Sequence, residues 1–340
     1  MEHLAIDLGL RESQVCVRSA DGTIVAEGRV RTSLLGSYLG RRGKSRVVVE
    51  TGSGCFKVAD AALQCGHEVR VVPATLVRSL GVGARRTKND RRDAQVLSEV
   101  SCRMDLPSVH IPSAWSRQAK AICSTRESLV GARTQIVNCV RGWLRTQSIH
   151  LQSGSVTTFT RRVRAHLGTQ LPTFIDRQVE TVDHLTGQIK KADAELAELA
   201  QLDPRCARLM TMPGIGPVSA VRFAAAVDDV TRFPHAHAVQ SYLGLVPSEY
   251  SSGEQQSKGA ITKAGAPAVR WALVQAAWNM RYYRRNDPIV LWAREVEKRR
   301  GKKVAIVALA RKVAGILYAI WRDGSKYDPR RGANANVNHE

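Results

Sequence analysis

Two short apolar runs near the start of the chain each close on a carboxylate, and this pattern constrains the fold more than any other feature. His3-Leu-Ala-Ile-Asp-Leu-Gly9 carries Asp7 at the close of one run, and Arg46-Val-Val-Val-Glu50 carries Glu50 at the close of the other. Between them lie Gln14–Val17 and Thr23–Gly28, divided by Asp21-Gly22. Asp-Gly between two β-rich runs marks a hairpin, so the chain opens with three antiparallel strands. Arg46–Glu50 is apolar on both faces, which predicts an interior strand. A helix is then expected over 56–65, a strand over 67–72 and a helix over 90–100. Three meandering strands followed by alternating helix and strand is the element order of an α/β, ribonuclease-H-like domain.

Charge narrows the class of partner. The 340 residues include 51 Lys and Arg against 30 Asp and Glu, a formal charge of +21. Folding does not call for that excess, and a polyanion does. Basic residues run along the whole chain rather than along one amphipathic helix, which favours nucleic acid over a membrane surface. Residues 281–340 alone hold 15 Lys and Arg against 6 Asp and Glu. The apolar stretch Val304–Trp321 is interrupted by Arg311-Lys312 and predicts a buried helix, not a membrane span. Met1-Glu2-His3 leads straight into a strand with no signal segment. The seven cysteines show no CxxC pairing and predict reduced, mostly buried thiols in a cytoplasmic protein.

Beyond residue 110 the pattern turns helical. Apolar positions at Ile122, Leu129, Ile136, Val140 and Leu144 predict a helix over about 116–148. A second spans about 174–200, where Ile175, Val182, Ile189 and Leu196 repeat every seven residues. A basic, turn-containing stretch (153–172) separates them, so an antiparallel coiled-coil arm is expected, packed internally or between protomers. The organisation read this way is a carboxylate domain (1–110), a helical arm (111–205), a mainly α C-terminal domain (206–328) and a disordered tail (329–340). In the third, Met212-Pro-Gly-Ile-Gly-Pro217 precedes an Ala/Val-rich helix (219–226), a polar loop covers 251–265, and helices follow near 266–282, 288–299 and 302–321.

Two-metal phosphoryl transfer needs about four acids holding divalent ions about 3.5–4 Å apart. Asp7 and Glu50 end strands that neighbour one another in such a sheet. Asp90 and Asp93, in Thr87-Lys-Asn-Asp-Arg-Arg-Asp-Ala94, share one face of a helix. Mg²⁺, with Mn²⁺ as substitute, suits an all-oxygen set. Each acid alone has a plainer reading, as a turn former or a helix-dipole partner. The four together with a fully apolar strand favour the metal site. Gly214 and Gly216 present helix N-terminal amides in a helix-hairpin-helix-like turn able to hold phosphate, or they make an ordinary interhelical turn. Lys258 and Lys263 are candidate phosphate contacts. His235 and His237 read as solvated histidines, and Trp271, Trp278, Trp292 and Trp321 as core.

These stretches carry a resemblance over essentially the whole chain. Ala5-Ile-Asp-Leu-Gly9, Val47-Val-Val-Glu-Thr-Gly52 and Thr87–Ala94 match one domain of a family. Met212–Pro217, Tyr242-Leu-Gly-Leu-Val-Pro247, Ser251-Ser-Gly253 and Gly259-Ala-Ile-Thr-Lys-Ala-Gly265 match the other. The chain resembles the DEDD transposases of bacterial insertion sequences related to the Piv/MooV invertase, whose members include bridge-RNA-guided recombinases. The resemblance implies a RuvC-like domain in which Asp7, Glu50, Asp90 and Asp93 bind Mg²⁺. It also implies a serine nucleophile before the glycine of a Ser-Gly motif, which falls on Ser252 beside Ser251. Further implications are a covalent phosphoserine with DNA, a composite site shared by protomers of a dimer or tetramer, and a structured noncoding RNA pairing with target and donor ends. Three other readings stand against it: a RuvC-like nuclease or junction resolvase using water, a sugar kinase of the actin-like fold, and an inactive nucleic-acid-binding protein. The kinase needs a second phosphate hairpin and an adenosine glycine motif, neither of which is found here.

Overall fold

The first strand, β1 (Glu2–Asp7), is buried at Leu4, Ala5 and Ile6, and the N-terminal sheet assembles on both of its edges. The structure, a computed structural model, describes residues 1–79, 90–252 and 255–330, without the side chains of 78–79, 90, 250–252 and 255–258. The chain divides into two compact units, Met1–Pro112 and Ser113–Glu340.

In the first unit, β2 (Glu12–Arg18) and β3 (Ile24–Arg31) follow β1 as the expected antiparallel meander. β4 (Ser45–Glu50) and β5 (Glu68–Val72) add in parallel on the other side, giving the order β3-β2-β1-β4-β5. β4 is therefore interior, as its apolar run requires. Strand alternation sorts the side chains onto two faces. Leu4, Ile6, Val47 and Val49 pack with α1 (Leu35–Gly40) and α2 (Cys55–Gln64). Ala5, Val48 and Val72 pack with Val77 of α3 (Ala74–Ser79) and Leu97 of α4 (Asp90–Arg103). The two six-residue helices α1 and α3 were not expected, since each is too short to show a helical period.

The second unit is mainly helical. α5 (Ala114–Thr146) and α7 (Thr173–Leu202) run antiparallel within the one chain. Arg126 Nε donates to Asp193 at 2.5 Å and Arg133 to Thr186 at 3.4 Å, seven residues forward on one helix and seven back on the other. The heptad positions Ile175, Val182, Ile189 and Leu196 are all buried. The stretch read as basic turns contains a helix, α6 (Phe159–Leu167), whose Phe159, Val163 and Leu167 close one end of the α5–α7 pair. The other end of the pair joins the main core, made by α8 (Pro204–Leu209), α9 (Pro217–Val227), α10 (Ala236–Tyr242), α11 (Pro267–Tyr283), α12 (Pro288–Arg300) and α13 (Lys302–Asp323). α13 is long and apolar enough to cross a membrane, yet Leu309, Val313 and Leu317 are wholly buried in this core. The polar loop expected over 251–265 begins as a β-hairpin, β6 (Pro247–Ser252) and β7 (Gln255–Ile261), because cross-strand pairing overrides the low β-propensity of Ser, Gln and Gly. The tail expected from 329 reaches beyond the described residues at 331.

One correction concerns a single residue. Trp271 is 60% exposed on α11, whereas Trp278, Trp292 and Trp321 pack against the core. Of the cysteines, Cys65 and Cys139 are exposed and Cys102 is half-buried, so burial holds for four of seven. Burial pushes the Cys206 thiol up to about 12, which keeps it protonated.

Asp203 and Arg205 tie the long helices to the core. Asp203 caps α8 by accepting from the Arg205 and Cys206 amides, and it pairs with the Arg205 guanidinium at 2.6 Å. That guanidinium lies 4.3 Å from the Trp115 ring centre on α5 and 5.5 Å from Trp321 on α13. Burial alone would raise the Asp203 carboxyl, but Arg205 and the capping amides hold it below the ordinary aspartate value. A depressed folded-state value stabilises the fold above the unfolded value of about 3.9 and is lost as pH falls through the folded one. Asp203→Asn should therefore lower stability by about 1–2 kcal/mol at neutral pH in urea titrations. The gap from the parent should close as pH is taken below about 4.

Candidate active site

Asp7 is the last residue of β1 and Glu50 the last of β4. Their strands are parallel neighbours with Ile6 opposite Val49, so the two carboxylates leave the same end of the sheet side by side. Alternation fixes the face as well. Asp7 shares parity with Ala5, and Glu50 with Val48, and both of those alanine and valine side chains face α4.

α4 brings the third acid. Ala94, Leu97, Ser98 and Ser101 form its buried stripe. Ser101 Oγ lies 2.8 Å from His3 Nδ1 at the start of β1, and Ser98 Oγ lies 3.2 Å from Cys16 Sγ, opposite Ala5. The helix thus runs antiparallel to β1. From His3 to Asp7 the strand rises about 13 Å, and from Ser101 back to Asp93 the helix rises about 12 Å. Asp93 therefore comes level with Asp7 at the sheet edge, and Asp90 opens the helix one turn beyond. Asp7, Glu50 and Asp93 are all half-buried. Both helical acids lie in the first turns, where the helix dipole favours negative charge.

The serines and histidine that hold this helix carried no signal in the sequence. Ser98, fully buried, donates to the Gln95 carbonyl at 2.8 Å and accepts from Arg18 Nε at 3.1 Å. Burial, with Arg46 and the N-terminus adding positive charge, lowers the His3 pKa and keeps its ring neutral against Ser101. On the outer side, Glu27 of β3 takes Arg91 in a two-point pair at 2.9 and 2.7 Å and Gln95 at 2.8 Å. Arg91 holds the Glu27 carboxyl below its usual range.

The donor chemistry fits a hard divalent cation, since every candidate is a carboxylate. Among the described residues no three His, Cys, Asp or Glu side chains stand close enough to hold a metal ion, and the Asp90 side chain lies outside that set.

Ser252 ends β6 and is paired with Gln255, with Ser251 opposite Gln256. The hairpin root is rigidly built. A Cβ on Gly244 would lie 2.3 Å from the Ala264 carbonyl oxygen, and one on Gly265 would lie 2.1 Å from that of Tyr242; both glycines have positive φ, +67° and +69°. The Arg270 guanidinium of α11 donates to the Leu243, Ala264 and Gly265 carbonyls across this crossing. Ser248 Oγ donates to the Ala260 carbonyl at 2.9 Å, so that hydroxyl serves strand pairing. Lys263 is exposed and sits at φ +56°, a strained conformation for a side-chain-bearing residue. The Lys258 side chain lies outside the described residues.

The Met212–Pro217 turn separates α8 from α9. Gly214, at φ +81°, lies where a Cβ would be 2.8 Å from the Ala276 carbonyl oxygen, so tight packing on α11 is enough to explain it. Gly216 caps α9 with open space around it and no side-chain cap. His235 is the cap of α10, its Nδ1 accepting from the Ala238 amide at 3.1 Å; His237 is exposed beside it.

Two stability tests follow from these contacts. Ser98→Ala should cost about 1–2 kcal/mol in urea unfolding, because the half-buried Arg18 and the helix lose a partner. Gly244→Ala should cost more than about 2 kcal/mol, combining a clash with a left-handed backbone.

A transposase family model matches residues 4–148, and a second, described as the transposase IS116/IS110/IS902 family, matches 206–290. Similar proteins span most of the chain. The transposase for insertion sequence element IS1111A of Coxiella burnetii is 25% identical over 326 residues, 93% of this chain and 88% of that protein. A probable family 20 transposase of Pseudomonas aeruginosa is 27% identical, covering 97% of this chain and 99% of its own length. The pilin gene-inverting protein of Moraxella bovis is 27% identical over 84% of this chain and 82% of its own. Two models on separate stretches and relatives of nearly equal length agree: the chain is similar along most of its length to IS110/IS116 insertion-sequence transposases, and it is a DNA transposase/recombinase enzyme.

Proposed function

We propose that the chain cuts and exchanges DNA strands at the ends of an insertion sequence through a covalent phosphoserine, with Asp7, Glu50, Asp90 and Asp93 as the metal-binding acids and Ser252 as the nucleophile. The observation that supports this reading is that Asp7 and Glu50 end adjacent parallel strands at one edge of the N-terminal sheet, with α4 running so as to carry Asp93 toward that edge. A divalent ion, Mg²⁺ with Mn²⁺ as substitute, would supply charge neutralisation at a phosphodiester when bound. The four acids would hold it.

In the proposed exchange, the Ser252 oxygen forms a bond to phosphorus while one phosphorus–deoxyribose oxygen bond breaks. The serine proton passes to the leaving oxygen, which departs as a hydroxyl. Attack of a hydroxyl from another strand reverses the step and frees the serine, so no phosphodiester energy is lost. The proposed division into residues 1–110, 111–205 and 206–328 would give the acids and the serine to separate domains. With them we propose a homo-oligomer, dimer or tetramer, whose protomers share a site through the arm. The charge of +21 supports polyanion binding beyond the strand being cut, and an element-encoded guide RNA is the partner we infer. Gly216 amides, Lys258 and Lys263 are the proposed phosphate contacts, with Gly214 shaping the turn.

Labelled element-end DNA, incubated with the protein and Mg²⁺ and run on a denaturing gel, tests the chemistry. A retarded covalent adduct is expected from the parent chain. Asp7→Ala, Glu50→Ala and Asp93→Ala should lower cleavage by about 10⁴-fold while DNA binding survives. Ser252→Ala should abolish the adduct. An adduct that persists in Ser252→Ala would move the role to Ser251, and cleavage without any adduct would favour a water-using nuclease.

A further inference from the structure

A groove of about 1000 Å³ lies between α10 and α13, far larger than any one side chain would need. Its floor is apolar, from Ile316 and Ala319 with the half-buried Tyr327 beside them, and its rim is basic, from Arg311 and Lys326 with His235 and His237 at one lip. Gly315 makes the helix crossing close: a Cβ there would meet Gln240 Nε2 at 2.7 Å and Ala236 Cβ at 3.6 Å.

Arg311 is the informative residue. Its Nε donates to Gln240 Oε1 at 2.9 Å, and Gln240 Nε2 donates back to the Arg311 carbonyl at 3.1 Å. That exchange fixes the guanidinium plane and uses only one of its three nitrogens. Among the described residues no carboxylate pairs with Arg311 or Lys326. The two acids at the groove are otherwise engaged, Asp323 with Arg322 at 2.7 Å and Asp328 with Arg330 at 3.4 Å. Burial pulls the Arg311 pKa down, as expected for a cation set into a wall without an acid beside it.

We propose that this groove binds unpaired nucleotides of a DNA strand, with bases on the Ile316–Ala319 floor and phosphates on Arg311 and Lys326. A basic groove with apolar and aromatic surface is how single strands are held without reading sequence. A volume of about 1000 Å³ suits a few unpaired nucleotides rather than a length of duplex. DNA is chosen because the chain is a DNA transposase, and strand exchange leaves single-stranded segments; to that extent the proposal rests on the functional reading above.

The test uses the full chain and a ten-nucleotide oligodeoxythymidylate carrying one 5-iododeoxyuridine. After irradiation in about 0.15 M salt, cross-linked peptides are mapped by mass spectrometry. Adducts are expected within 235–240 or 311–328. Binding measured by fluorescence anisotropy should weaken about tenfold in Arg311→Gln/Lys326→Gln, and less than twofold in Arg299→Gln, an exposed control on α12. If the double variant unfolds, Lys326→Gln/His237→Gln on the exposed lip carries the same expectation. Equal losses in groove and control variants overturn the proposal, as do adducts confined elsewhere. Tighter binding of the matching oligoribonucleotide, or of duplex, at the same residues overturns the choice of single-stranded DNA. If the parent chain binds no oligonucleotide at all, the DNA reading itself fails, which separates that outcome from failure of the groove alone.

Discussion

The parallel pairing of β1 with β4 is the constraint on which the N-terminal unit depends. Both strands are apolar up to their last residue, because helices cover both faces of the sheet. Within such a layer a carboxylate has no place except at the strand end, where solvent begins. Asp7 and Glu50 sit at those ends, and parallel alignment brings them to the same edge. An antiparallel pairing of the same two strands would send them to opposite sides. The local sequence therefore gives each acid a position, and the strand direction makes them a pair.

α4 extends that argument through three small polar residues. A helix packed only by Ala94 and Leu97 could slide along the sheet by a turn at modest cost. Hydrogen bonds from Ser98 and Ser101 to fixed points on β2 and β1 set its register, and Arg91 with Gln95 fix it to Glu27 from the far side. Asp93 is thereby held in height by groups about 12 Å away along the helix. In the second unit Arg205 does comparable service, stacked on Trp115 and near Trp321 so that α5, α8 and α13 share one cation.

Much of this was legible in the sequence, and the reasons differ by element. The interior strand announces itself by an unbroken apolar run and the long helix by a period of seven, and burial follows both. The Asp-Gly hairpin and the polar–apolar contrast at Asp7 and Glu50 are local signals. What was not legible lacked a local signal. α6 is a nine-residue helix whose basic surface hid Phe159, Val163 and Leu167. The 247–261 hairpin is built from Ser, Gln and Gly and depends on pairing with itself and on Arg270 from α11. Trp271 has an apolar neighbourhood in sequence but faces outward, since composition does not tell which side of a helix meets the core. Nor could the His3–Ser101 contact be read, because 98 residues separate its partners. How the acids and Ser252 act together entered from the resemblance rather than from any spacing.

The crossing of Gly244 and Gly265 divides the hairpin into two parts under different physical constraint. Its root admits no side chain at either glycine and recruits three carbonyls to one guanidinium, so change there is felt by the core. Its strands are held to each other by backbone pairing, which asks little of side-chain identity outside the proposed site. An insertion-sequence enzyme must keep its chemistry while its hosts and targets vary. A fixed pivot thereby holds in place the strand that carries the proposed nucleophile, while stability is secured at its root.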